Sequence, residues 1–416
     1  MPARTLLLTV AACLIAASAH AQTETNRPAA APANLPPSCG ASINATPDAR
    51  IAACNTAIES RPDASATDRA ALFISRAEAY DDKGDVDRAI ADLNKAIELD
   101  PNSVVAFENR GTLFVRSGKP DRAIEDYDEA IRLDPNYAQA HADRGVAFYI
   151  KGDYARAIES YSEAIRLDPK HAVSYSNRAA AYKKAGRNDR AIADQGEAIK
   201  LEPDRAEFYD NRGLSYAHNR DYDLAIADYD KAISLKKEAK FYTNRGDAYQ
   251  FKGNLDRAIA DYGDATTLDP TFALAWNNRG AAYKRKGDLE AALSSYEQAL
   301  RLNPRMTTAA ENRTAIRNQI AQRDAEAAPK TPTFECRGAR RAVEKAICSD
   351  PTLRRLDWEV DQAYRSALLR ADSKSAAAIR RTQRTFISRR DKNFGRPNYD
   401  FKADLERQIA LLRASK

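Results

Sequence analysis

The sequence predicts an all-α chain, a solenoid of stacked helix pairs followed by a small, separate helical bundle. Three observations predict it. Segments such as RAIADLNKAIELDP (88–101), RAIEDYDEAIRLDP (122–135) and RAIESYSEAIRLDP (156–169) recur every 34 residues, and RAIADYGDATTLDP (257–270) echoes them. Small and aromatic residues return at fixed places within each period, and a proline closes most of them. Beyond residue 333 the period stops, yet Leu353, Leu356, Val360, Tyr364 and Ala367 still form an apolar stripe at helical spacing.

At 416 residues the chain is long for one domain, so two folded units are expected. Apolar residues make up 44% and charged residues 30%, ordinary values for a soluble folded protein. The 65 Lys/Arg and 59 Asp/Glu leave a net charge of only +6 with both signs interspersed. Nothing in that balance calls for nucleic acid as a partner.

Taken in order, residues 1–21 read as a secretory signal. Arg4 gives the positive start, residues 6–17 the apolar core, and Ala19, His20 and Ala21 the small-residue cleavage pattern. Cleavage there leaves Gln22 first. Val10, Ala11, Ala12 and Cys13 offer a second reading, a lipoprotein anchored through Cys13, but it would cut the apolar core short. No later stretch has the ~18 consecutive apolar residues of a membrane span. A periplasmic or secreted protein without a transmembrane segment is therefore expected. Residues 22–37, rich in Ala, Pro, Thr and Asn, read as a flexible leader.

Beyond the signal, Cys39, Cys54, Cys336 and Cys348 form two local pairs. An oxidising compartment makes disulfides the first reading, each contributing on the order of 2–3 kcal/mol. A zinc site is the poorer alternative, because the spacing is not CxxC and no histidine lies near.

Repeats begin near Ala70, Val104, Ala138, Ala172, Ala206, Ala239 and Ala273. Their eighth positions are small, where the two helices must touch: Ala77, Gly111, Gly145, Ala179, Gly213, Gly246 and Gly280. Beside them come Tyr80, Phe114, Phe148, Tyr182, Tyr216, Tyr249 and Tyr283. Proline ends second helices at 101, 135, 169, 203, 270 and 304, since it cannot continue one. This pattern over residues 70–306 resembles the tetratricopeptide repeat, a helix–turn–helix unit. The resemblance implies a right-handed solenoid of seven repeats and a protein or peptide partner. The fifth repeat departs: it is one residue short, has Lys237 in place of the proline, and Arg220 in place of the turn glycine. Residues 38–69 read as a degenerate helical cap, 307–323 as a polar-faced capping helix, and 324–333 as a linker.

Within the first helix of each repeat, the second, sixth, ninth and thirteenth positions share one face, and in this family that face lines the concave groove. The sixth position holds Asn109, Asn177, Asn211, Asn244 and Asn278, with Ser75 and Asp143 departing. A side-chain amide both donates and accepts, so a column of them suits an extended peptide of any sequence. It is similar to the asparagine ladder in the superhelix of the O-linked N-acetylglucosamine transferase. The competing reading is a merely polar residue facing a wet groove. Around the column, Glu78, Asp81 and Asp82 make the first repeat acidic, and Val146, Tyr149 and Ile150 make the third apolar. Lys183, Lys184, Lys284 and Arg285 make the later part basic. A partner with an apolar anchor and charges of opposite sign at its ends would fit.

The seventh position is arginine in all seven repeats: Arg76, Arg110, Arg144, Arg178, Arg212, Arg245 and Arg279. A semi-buried guanidinium needs a partner, and Asp92, Asp126, Asp194, Asp228 and Asp261 stand at the matching phase of the second helices. Ser160 and Ser295 are the exceptions. An internal arginine–aspartate ladder is expected, scaffold rather than site.

Residues 334–416 resemble the lysozyme-inhibitor LprI-like domain of exported bacterial proteins through Cys336, Glu344, Ile347, Cys348, Leu353, Leu356, Asp357 and Tyr364, with Gln383, Phe386, Arg390 and Asp391 as later echoes. The resemblance implies a helical bundle and inhibition of lysozyme. Charge speaks against the second point: this stretch carries 20 Lys/Arg against 11 Asp/Glu, and lysozymes are usually basic, so long-range steering opposes the encounter. Peptidoglycan or another anionic surface is the alternative partner. Ala378, Ile379, Phe386 and Ile387 are expected to pack on the apolar stripe, and Glu344, Asp357, Gln383 and Arg390 to form an internal network. No phosphate loop or nucleophile elbow occurs, and His141, His171 and His218 stand apart from one another. The chain is therefore read as no enzyme, with no cofactor and no metal.

Overall fold

A computed structural model of the chain describes Cys39 and residues 45–327 and 340–415. The expected signal 1–21, most of the leader, Cys13 and Cys336 lie outside the described residues. Those described form twenty helices and no strand, and no helix among them is long and apolar enough to cross a membrane. The chain divides into two compact units after Leu235, where the shortened fifth repeat ends.

The first unit opens with α1 (Pro47–Ser60), followed by five helix pairs: α2 (Ala66–Asp82) and α3 (Val86–Leu99), α4 (Val104–Arg116) and α5 (Pro120–Leu133), α6 (Ala138–Ile150) and α7 (Tyr154–Leu167), α8 (Ala172–Lys184) and α9 (Asn188–Leu201), α10 (Ala206–His218) and α11 (Tyr222–Leu235). Each pair forms because sequence signals agree at both ends. Asp85 and Asp153 cap second helices by accepting the backbone N–H of Arg88 and Arg156. The turn residue ahead of them takes a left-handed conformation, φ 82° at Gly84, which glycine adopts without strain. In the fifth repeat Arg220 holds φ 68° at the same place, a conformation a side chain resists.

Between the two helices of a repeat, size matching decides the fit. A Cβ on Gly111, Gly145 or Gly213 would stand 2.7 Å from the ring of Tyr127, Tyr161 or Tyr229. Where the second helix offers Leu93 or Gln195 instead, the eighth position is Ala77 or Ala179. The large residue of one helix thus sits against the missing side chain of the other, and the ring is fully buried.

The arginine–aspartate ladder is present. Arg76–Asp92, Arg110–Asp126, Arg178–Asp194 and Arg212–Asp228 are bidentate, at 2.6–2.9 Å. Burial pushes Asp126 above the usual carboxylate range while Arg110 pulls it back. The same guanidinium also reaches the preceding repeat: Arg110 Nη1 donates to Asn94 at 2.8 Å and Arg178 Nη1 to Ser162 at 3.1 Å. Arg110 and Arg178 therefore each tie two helices of their own repeat and the helix before them. Arg144, facing Ser160, turns to Asp128 at 2.7 Å.

At the start, Cys39 and Cys54 are joined in a disulfide and packed with Ala57 and Leu72. Arg50 of α1 pairs with Asp82 and approaches Glu78 at 3.8 Å, and Arg116 pairs with Asp81 at 2.5 Å. The acidic first repeat is thus largely neutralised from within.

The second unit holds two more pairs, α12 (Ala239–Phe251) with α13 (Leu255–Leu268) and α14 (Ala273–Lys286) with α15 (Leu289–Leu302), then α16 (Thr307–Ala327). Here Arg245–Asp261 continues the ladder at 2.6–2.9 Å. Ala309, Ile316 and Ile320 of α16 cover Leu293, Tyr296 and Ala299 of α15, so this helix closes the apolar side of the last pair. It runs on to Ala327, into the stretch expected to be linker.

Four further helices follow in the same unit: α17 (Ala342–Ser349), α18 (Pro351–Arg370), α19 (Ser373–Asn393) and α20 (Phe401–Ala414). Leu356, Val360 and Ala367 of the expected stripe of α18 are buried in one core with Ile379 and Phe386 of α19, and Leu353 and Tyr364 pack half-buried on it. Ala378 is exposed, and Ala376 takes its place inside. Beyond the sequence expectation, α20 supplies Phe401, Leu405, Ile409 and Leu412 to this core. Cys348 is disulfide-bonded, its partner outside the described residues. The expected polar network exists with two more members. Arg341 joins Glu344 and Asp391, and Arg390 joins Asp391 and Asp357, giving one chain of alternating charge. Gln383 stands apart from it and accepts from Gln408 at 2.8 Å.

Candidate peptide-binding face

First helices of neighbouring repeats touch one another, α4 with α6, α6 with α8 and α8 with α10, while no pair of second helices does so to a comparable extent. The first helices therefore form a continuous inner wall in the first unit, and the sixth position lies on it. Asn109, Asn177 and Asn211 are half-buried there. Asn109 Nδ2 points toward Glu78 at 3.4 Å and Asn211 Nδ2 toward Ser176 at 3.5 Å, both long for a hydrogen bond. These amides are held in register yet keep bonding capacity for a ligand.

Lys183 and Lys184 are half-buried on the same wall. Burial pulls Lys183 below the usual ammonium range, Asp210 opposes the shift and Lys184 adds to it. Tyr149 packs edge-on against Tyr154, 5.4 Å between ring centres, and burial raises its phenol. The third repeat breaks the column: Asp143 accepts two bonds from Gln139 Nε2 at 3.0 Å and is lifted to about 6, chiefly by burial.

In the second unit the same positions behave differently. Asn244 is half-buried. Asn278 is buried and donates to Asp247 Oδ1 at 2.9 Å, while Asn277 donates to Asn278. Tyr262 also donates to Asp247 at 2.6 Å, and burial lifts this carboxyl to about 6. Lys284 donates to Asn312 and Arg285 to the carbonyl of Gln250, at 3.0 and 2.9 Å. Here the polar side chains are engaged with one another. Asp247, at the ninth position, and Glu108, at the fifth, are not among the sequence expectations; the available signal was a recurring acid, Glu78 at the ninth position of the first repeat and Asp210 at the fifth of the fifth.

Family models place the repeats independently. Models described as tetratricopeptide repeat match residues 109–172 and 177–240, 160–193 and 273–306, and one described as TPR repeat matches 77–118 and 246–287. Together they cover 77–240 and 246–306, more than half of the chain. The chain is a tetratricopeptide-repeat protein. Among solved structures, this repeat protein is similar to a tetratricopeptide repeat protein from Parabacteroides merdae, with 20% identity over 59% of this chain and 98% of that one, TM-score 0.49. It is also similar to MamA, with 28% identity over 39% of this chain and 94% of that one, TM-score 0.37. A chain of the Cut9–Hcn1 hetero-tetramer of the APC/C matches at 18% identity and TM-score 0.48 over 65% of this chain, which spans only 52% of that relative's length. No curated protein matches the sequence.

Proposed function

We propose that the chain is an exported binding scaffold that holds an extended peptide or protein tail on the inner wall of its first helices. One observation carries the reading: Asn109, Asn177 and Asn211 stand half-buried at the same register on helices of one unit. Backbone amides of an extended segment offer the donors and acceptors that such a column satisfies, independent of side chains. Export is supported by the pattern of residues 1–21 and by the Cys39–Cys54 disulfide. The test is an array of unrelated extended peptides probed with the full chain. Replacing Asn109, Asn177 and Asn211 together by alanine is expected to weaken the retained peptides by about 10-fold or more, at an unchanged melting temperature. Retained binding in that variant sinks the proposal.

A second reading, for the C-terminal helices, draws on α19. Lys374, Arg381, Arg384 and Lys392 are all exposed on it, and Asp391 is its only acid. Such a face favours an anionic polymer such as peptidoglycan and disfavours a basic enzyme such as lysozyme. Sedimentation of the full chain with peptidoglycan should be lost when the four are changed to glutamine. Inhibition of lysozyme that survives those changes would favour the lysozyme alternative.

A further inference from the structure

At a junction between neighbouring repeats of the first unit, the fifth position of one first helix meets the sixth position of the next. Ser176 and Asn211 are such a pair, hydroxyl and amide. Two places earlier in the series, between the second and third repeats, the pair is Glu108 and Asp143, which hydrogen-bond each other. Glu108 is only 8% exposed, and Asp143 is half-buried on the wall. Acid therefore faces acid where water is scarce, an arrangement that disfavours the doubly charged state. The other partner of Asp143 is Gln139, a neutral amide.

A second, independent feature lies beneath. Tyr161 is fully buried, and its hydroxyl has no hydrogen-bond partner among the described residues. It lies close enough to Asp143 to be influenced by its charge. The equivalent hydroxyl of Tyr127 meets Thr112 at 3.2 Å, and that of Tyr262 reaches Asp247 at 2.6 Å. That of Tyr296 is also unpartnered among the described residues, but burial alone acts on it, whereas the Asp143 charge acts on Tyr161. In the third repeat the corresponding ninth position is Val146, which offers nothing. A buried hydroxyl left in this way costs about 1–3 kcal/mol. Arrangements of that kind cluster where a ligand completes them.

The surroundings specify the ligand. Val146 and Tyr149 pack half-buried in one cluster with the Tyr161 ring, which gives an aliphatic stem an apolar wall and a cation an aromatic face. Among the described residues no group of three or more His, Cys, Asp or Glu comes together as a metal would need. Elsewhere on the wall a cation does accompany a buried acid, as Lys183 accompanies Asp210. We infer that Asp143, backed by Glu108 and the Tyr161 hydroxyl, is a subsite for the cationic side chain of a lysine or arginine in the bound segment. The inference rests on the inner-wall reading above and adds to it the chemistry of one anchor residue.

The experiment uses the full chain and two capped peptides of alanine, serine and asparagine, identical except for a central arginine or a central citrulline. Calorimetry near neutral pH should show the arginine peptide binding about 10-fold tighter, the scale of one charge-assisted hydrogen-bond pair. Asp143→Asn installs the residue found at this position in five other repeats, so the fold is retained, and the preference should fall to near unity. Tyr161→Phe should lower the preference about 3-fold while leaving the melting temperature unchanged or higher. Equal binding of both peptides overturns the subsite and leaves the inner-wall reading standing. Binding of neither overturns both. A preference that persists in Asp143→Asn places the cation elsewhere, and displacement of the arginine peptide by calcium chloride alone at constant ionic strength reassigns the pair to a metal ion.

Discussion

The seam between the two helices of a repeat and the inner wall of first helices are built from the same seven-fold pattern, but they treat polar groups in opposite ways. Along the seam, Arg110 meets Asp126 through two bonds and Asn94 through a third, and rings fill the space that glycines leave. On the wall, Asp143 faces another acid, and the Tyr161 hydroxyl beneath it is unpartnered. Satisfied groups hold a fold together, and unsatisfied ones are tolerated only where something else is gained. The seam has exceptions in the seventh repeat, where the Tyr296 hydroxyl and the Arg279 Nε are also buried without partners, so what sets the wall apart in this comparison is its pair of facing acids.

The sharpest way to break it is at the seam. Asp126→Ala would leave Arg110 partly buried without its main counter-ion, and a loss on the order of 3 kcal/mol is expected in chemical denaturation. If the loss is under about 0.5 kcal/mol, the value of an exposed pair, the ladder is ornamental.

A smaller effect tests the size matching. Gly213→Ala puts a Cβ 2.7 Å from the Tyr229 ring, and the clash should outweigh the gain in helix propensity by about 1–2 kcal/mol. Adding Tyr229→Leu recreates the Ala77/Leu93 pair of the first repeat, so the double variant should be more stable than Gly213→Ala alone. Strict additivity of the two changes would show that the pair is not coupled.

Much of this was legible in sequence. The 34-residue period fixed the helix pairs, and arginine at every seventh position demanded acids that the second helices visibly supply. The glycine–tyrosine matching was equally present in the letters: Ala77 goes with Leu93 and Ala179 with Gln195, whereas every glycine goes with tyrosine. The two partners lie sixteen positions apart on different helices, so the match shows only when the two columns are set side by side. Asp143 was visible as a departure from asparagine, but its meaning was not, since Glu108 lies 35 residues away and only stacking brings the two together. The neutralised first repeat was hidden for the same reason, because Arg50 comes from the degenerate cap. In the C-terminal helices Phe401, Leu405, Ile409 and Leu412 have helical spacing, but only the fold brings them against the stripe of α18. Ala378 was misplaced by two positions, which in a helix turns a side chain from core to solvent.

The engaged polar groups of the second unit can be tested through their protons. Asp247 titrates at about 6 in the fold against 3.8 in an unfolded chain, chiefly because it is buried. Between those values the native state holds the extra proton, so stability falls as pH rises from about 4 to 6 and is lowest above it. Asp247→Asn keeps an oxygen to accept from Tyr262 and Asn278. It should raise stability at pH 7.5 by on the order of 1–2 kcal/mol and have little effect near pH 4. The same gain at both pH values would mean that the carboxyl is not held protonated by the fold.

The seventh repeat offers the subtlest test, because there the seam behaves like the wall. Arg279 faces Ser295 instead of an aspartate, and Ser295 Oγ donates to the carbonyl of Ala291 at 2.8 Å. The Nε of Arg279 is buried without a partner, and the guanidinium keeps two aromatic neighbours, Trp276 and Tyr283, 5.2 and 5.5 Å from their ring centres, as Arg76 keeps Phe73 and Tyr80. The two aromatic faces are common to the ladder, so the seventh repeat differs by the missing carboxylate. Ser295→Asp restores the residue found at this phase in five repeats and should raise the denaturation midpoint by the equivalent of about 1 kcal/mol, less in high salt. The gain should vanish when Arg279 is methionine, because a buried aspartate without the guanidinium is a liability. Were Ser295→Asp to destabilise even with Arg279 in place, the rings would be the better partner, and the seventh repeat would be a designed exception to the ladder.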